Sequence, residues 1–185
     1  MTFATKRSTL SRSATKTAEP KTIAASEAAP ISKKKAVAKD AIALLKADHL
    51  NVNSLFEDYE KTSSVKKKKA IVAEICTALT VHTQIEEEIF YPAFKAALKD
   101  KELVPEAVIE HATVKDLIAQ VEGLEPDGEV FDAKIKVLSE YIKHHVKEEQ
   151  TEMFPKAKSS SLDMAALGER MAARKSELLT ERGGS

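Results

Sequence analysis

Tryptophan is absent from the 185 residues, cysteine occurs once, and glycine and proline together number only eleven. A single cysteine excludes a disulfide framework. Scarce Gly and Pro argue against turn-rich β-sandwiches and barrels and against collagen-like chains. No apolar run approaches the ~18 residues of a membrane-spanning helix, so no membrane insertion is expected. The lone Cys76 stands in an apolar helical run and reads as a small core residue in a reducing compartment, the cytoplasm. What is present, 43% apolar and 31% charged residues, suits a helix-rich domain.

Net charge is also absent, but the zero conceals two segments. Residues 1–39 hold nine Lys/Arg against Glu19 and Glu27, a net +7, and the remaining residues carry −7. The first segment is mostly Ala, Ser, Thr and Lys, with too few large apolar groups to offset chain entropy, and is expected to be a disordered basic tail. Its composition suits weak contact with a polyanion, with a transit peptide or a plain solubilising tail as the alternatives. No apolar core follows its basic residues, which argues against a secretory signal.

From Asp40 to about 182 the pattern has helical period. Helices are expected over about 40–61, 65–91 with a continuation to 99, 105–122, 130–154 and 162–181. Pro92 and Pro155 should kink or break the second and fourth, and Ser159, Ser160 and Ser161 form the cap region of the last. Short connections make neighbours antiparallel. The expectation is an all-α, up-down-up-down four-helix bundle with an extra C-terminal helix.

The second half repeats the first. A shift of 62 residues lays Ile42, Leu45, His49, Val52 and Phe56 on Val104, Ala107, His111, Val114 and Ile118. A shift of 63 lays Ile75, Leu79, His82, Glu86 and Phe90 on Leu138, Ile142, His145, Glu149 and Met153, and Pro92 on Pro155. Each set has the spacing of one helix face. That face is apolar except at His49, His82, Glu86, His111, His145 and Glu149. Buried without partners, two carboxylates would cost several kcal/mol or protonate. A pair of metal ions satisfies all six groups together.

His144 and Glu148 share the spacing of His145 and Glu149, but the proline register aligns His144 with Val81, which assigns it a solvated or outer role. Glu86-Glu87-Glu88 apart from Glu86, and Lys66 to Lys69, read as solvated faces. Asp48 and Glu110, each beside a histidine of the set, read as cap or surface charges, with support of the histidines as the alternative. Ligation by nitrogen and oxygen alone disfavours structural zinc and iron–sulfur sites and suits iron, with manganese admitted. The Glu-x-x-His of ferritin-like bundles is missing.

His49, His82-x-x-x-Glu86, His111 and His145-x-x-x-Glu149, with Asp48-His49, Phe90-Tyr91-Pro92, Glu110-His111, Phe154-Pro155 and Leu167-Gly168-Glu169-Arg170-Met171, resemble the hemerythrin-like HHE cation-binding domain. The resemblance implies two non-haem irons joined by an oxo or hydroxo bridge. Glu86 and Glu149 would span both, His49 and His82 would hold one, and His111 and His145 the other. Lys115 stands where oxygen-carrying relatives have a further histidine, which disfavours a pure carrier and leaves exchangeable positions. Lys115 itself is expected to point to solvent. The implied function is a protein that binds, senses or reacts with oxygen, peroxide or nitric oxide. The alternatives are an iron store or donor for repair of iron centres, and a metal-stabilised bundle with a polyanion-binding tail.

Overall fold

The computed structural model describes residues 40–126 and 128–183, and the tail expected over 1–39 lies outside the described residues. Helix α1 (Ala41–Lys61) is capped by Asp40, whose carboxylate accepts the Ala43 amide at 2.7 Å. Helix α2 (Val65–Ile85) starts at Ser64 and runs into a π-helical turn, Glu86–Phe90, and then into α3 (Tyr91–Leu98). Helix α4 (Leu103–Val121) begins where Asp100 accepts the Val104 amide at 2.8 Å. Helix α5 (Gly128–Glu148) continues through a second π turn, Glu149–Met153, into α6 (Phe154–Lys158). Helix α7 (Met164–Gly183) is capped by Asp163, and not within the serine triplet before it. Gly123 and Gly128 take φ of +77° on either side of the α4–α5 connection, a region only glycine occupies freely.

Of the kink or break expected at the prolines, the break does not occur. In an α-helix the ring of Pro92 would clash with the carbonyl four residues back and leave it without a donor. Here the Tyr91 amide donates to Glu86 and the Phe154 amide donates to Glu149, five residues back, so each turn is widened just before its proline. Both rods therefore continue.

Helices α1 and α2 pack as one antiparallel hairpin and α4 and α5 as another; α2 meets α4 and α1 meets α5, which closes the four-helix bundle. Helix α7 lies along α1 and α2. There it buries Leu167, Met171 and Leu178 with Leu45, Val81 and Ile85. The core falls into two apolar blocks. One is built around Phe90, Phe94 and Phe154, the other around Phe56, Ile75, Val114, Phe131 and Leu138. The buried polar layer sits at the level between them.

Candidate metal centre

Four helices and two π turns bring His49, His82, Glu86, His111, His145 and Glu149 together, each less than 9% exposed. The four imidazoles all turn Nε2 inward. His49 and His82 present these atoms 3.1 Å apart, and His111 and His145 present theirs 3.2 Å apart. Glu86 Oε2 stands 3.2 Å from His82 Nε2 and 3.5 Å from His111 Nε2. Glu149 Oε2 stands 3.2 Å from His49 Nε2 and 3.7 Å from His145 Nε2. Each carboxylate thus faces both imidazole pairs. Donor atoms of His49, His82, Glu86 and Glu149 lie within 4.8 Å of one another, as do those of Glu86, His111 and His145.

The outward nitrogens are held in turn. His111 Nδ1 donates to Glu87 at 2.9 Å, and His145 Nδ1 donates to Glu110 at 2.7 Å. His82 Nδ1 faces Asp48 at 3.6 Å, and Gln150 reaches His49 Nδ1 at 3.5 Å. The short bonds to Glu87 and Glu110 fix the ring plane and the tautomer of His111 and His145 and raise ligand basicity. Asp48 and Glu110 are therefore not mere surface charges. Each sits beside one histidine in sequence but serves another, on the adjacent helix of its hairpin. Glu87 is likewise not a solvated residue. It is half-buried, and its carboxylate also takes the Lys115 ammonium at 2.6 Å. Lys115 lies at the surface, as expected, and is tied down there.

Electrostatics separates the groups. Burial lowers His82, against the pull of Asp48, and burial with the adjacent His145 pushes His111 down to about 2. These two imidazoles are neutral and offer lone pairs. Burial opposes protonation of His145 as well, but the Glu110 hydrogen bond and the charges of Glu149, Glu110 and Glu148 together outweigh it and raise this residue. Burial and the charge of Glu149 raise Glu86 well above the carboxylate range. Burial also works to raise Glu149, yet the His49 imidazole beside it and the charge of His145 bring it down to about 2.

Tyr91 escaped the sequence reading as a site residue. Its hydroxyl donates to Glu149 Oε1 at 3.1 Å and stands 3.2 Å from His111 Nε2 and 3.5 Å from Glu86. Burial and the two carboxylates raise its pKa well above the ordinary value, so it stays protonated and donates. Five residues beyond Glu86 an α-helix has turned ~140° off the carboxylate's face. The π turn returns Tyr91 toward it. The only signal in the sequence was a proline six residues after an inward glutamate.

A family profile, the hemerythrin HHE cation-binding domain, matches residues 40–157. The chain belongs to this family. Among solved structures, a hemerythrin HHE cation-binding domain-containing protein from Mycobacterium kansasii, a homolog of Rv2633c, superposes with a TM-score of 0.64. It is 26% identical, over 76% of this chain and 87% of that one. A DNA nickase of Nostoc sp. (strain PCC 7120) is 25% identical over 111 residues, and the match spans 60% of this chain but only 31% of the nickase. This HHE bundle has the donor set its family name implies. Two nitrogens bound at a right angle to one ion at ~2.1 Å are ~3.0 Å apart, close to both imidazole pairs here. Glu86 Oε1 and Glu149 Oε2 are buried without any hydrogen bond, and cations would satisfy them.

Proposed function

We propose that this HHE domain holds two non-haem irons and uses them to bind, sense or react with oxygen, peroxide or nitric oxide. His49 and His82 serve one iron, His111 and His145 the other, and Glu86 and Glu149 both. The observation that carries this reading is the pair of buried donor clusters that share Glu86. An N/O donor set with shared carboxylates suits iron, with manganese as the nearest competitor. When bound, the pair supplies the redox electrons and exchangeable positions that such chemistry requires.

The size of the ligand follows from the walls. A cavity of about 10 Å³ lies against His49, His82, His111 and His145 and is closed by Val52, Leu79 and Ile142. That is room for about one water-sized sphere, which favours a small inorganic ligand over an organic substrate. The same tightness leaves no room for a store of many irons. The residues around the buried histidines and glutamates have separable tasks. Glu87 and Glu110 orient imidazoles, Tyr91 holds a proton against Glu149, and the aliphatic walls exclude bulk water.

Metal analysis of anaerobically purified protein tests the reading, with about two irons per chain expected. His49→Ala or His111→Ala should lower occupancy, and Glu86→Ala or Glu149→Ala should lower it further, because each carboxylate serves both positions. Two irons retained in the carboxylate variants would overturn the assignment. The reduced protein, mixed with oxygen and followed optically, should oxidise readily, and the oxidised protein should take up azide or react with peroxide. Long-lived, reversible oxygen uptake would restore a carrier role.

A further inference from the structure

A third cluster of metal-binding side chains lies outside the buried layer. His144 Nε2 stands 3.2 Å from Glu148 Oε1 and 3.5 Å from Glu110 Oε1, and one donor atom from each lies within 4.8 Å of the others. His144 is 61% exposed at its side chain, and the two carboxylates are half-buried beneath it. Glu110 faces two ways, because its other oxygen accepts from His145 Nδ1.

Two further observations join this cluster to the interior. A crevice of about 10 Å³ is bordered by Glu106, Glu110 and Glu148 and reaches His145 and Glu149. Glu149, which lines it, has its Oε2 buried without a hydrogen bond. The second observation is a break in the internal repeat. The 63-residue shift places Val81 and Ile85 where His144 and Glu148 stand. Both are buried in the apolar block that includes Leu167 and Met171 of α7. The first hairpin is sealed where the second is polar and open.

We propose that Glu110, His144 and Glu148 form an outer divalent-cation site at the mouth of this crevice, through which ions reach the buried centre. One imidazole with two carboxylates suits a first-row dication such as Fe²⁺ or Mn²⁺, whereas Ca²⁺ and Mg²⁺ prefer all-oxygen shells. Glu106 adds acidic charge at the mouth and raises the local cation concentration. The loading role rests on the di-iron reading; cation binding by the outer cluster does not.

The test uses the full-length, iron-loaded protein, with Mn²⁺ as the probe, read by electron paramagnetic resonance. Wild type should bind one Mn²⁺ beyond the buried pair, and His144→Ala or Glu148→Gln should weaken it at least ~10-fold, the lower bound for lost outer partners. Iron content and optical spectrum should not change in His144→Ala, while exchange of bound iron for an isotopic label slows severalfold. Equal Mn²⁺ binding in wild type and both variants would reduce the cluster to an ion pair and overturn the site. Equal exchange rates would overturn the loading role, and loss of iron from His144→Ala would place that residue in the buried centre instead. A wild-type chain without iron in the buried layer would overturn the di-iron reading alone, since the Mn²⁺ difference between variants still reports the outer site.

Discussion

Tyr91 and Phe154 occupy equivalent places in the two hairpins, and each stacks on a histidine, Tyr91 on His111 at 5.4 Å and Phe154 on His49 at 6.0 Å between ring centroids. The hydroxyl is what distinguishes them. Tyr91→Phe should therefore fold normally, since a phenyl ring already fills the matching position. It should still weaken metal binding by about 10-fold, because Glu149 loses an outer partner. A competition titration against a chelator measures this, and unchanged affinity would show that the hydroxyl only fills space. The same scale settles Cys76. Burial, with some contribution from Glu122, pushes its thiol up to about 11. It should resist thiol reagents at pH 8 in the folded protein and react once the chain is unfolded. The six inward histidines and glutamates were legible because each lies on an apolar face with helical period. Their outer partners were legible only as an alternative for Asp48 and Glu110 and not at all for Glu87, because period orders residues along one helix and is silent on the next. Asp48 and Glu110 reach across to the neighbouring helix, and Glu87 reaches across to α4.

Elements raise a different question, since boundaries were legible wherever local chemistry marks them. Asp40, Ser64 and Gly123 stand at helix ends. The π turns were not legible, because a proline in a helical pattern signals a break unless the backbone has room to widen. Helix α7 shows what the fifth element contributes. Met171 is fully buried between it and the α1–α2 hairpin. Met171→Ala should cost about 2–5 kcal/mol in chemical denaturation. A smaller loss would mean that α7 rests on the hairpin without filling its groove. Charge pairs also join the elements. Arg174 of α7 holds Glu88 below the ordinary carboxylate range, and Lys68 with Tyr59 does the same for Asp132 on α5. Carboxylates depressed by folding add stability that is present above their unfolded pKa and lost as pH falls through the folded value. Stability should thus hold at neutral pH and decline below about pH 4, modestly, because these pairs are exposed. Thermal melts between pH 3 and 7 would show it; a flat profile would mean the pairs contribute nothing.

The whole chain combines this bundle with residues 1–39 and their net charge of +7. Deleting residues 1–38 should leave iron content and melting temperature unchanged. If the tail binds a polyanion such as heparin, that binding should fall steeply with salt, as released counterions require. Salt-insensitive binding would point to a docking motif instead. Among the described residues no helix is long and apolar enough to cross a membrane. The small cavity against the imidazoles has a last consequence. With every inward histidine at most 7% exposed and space for about one water, no organic reductant can touch the centre. If the proposed irons are held there, electrons must tunnel through the protein wall from a donor docked outside. The speed of reduction would then be set by how closely that donor approaches the imidazole edges.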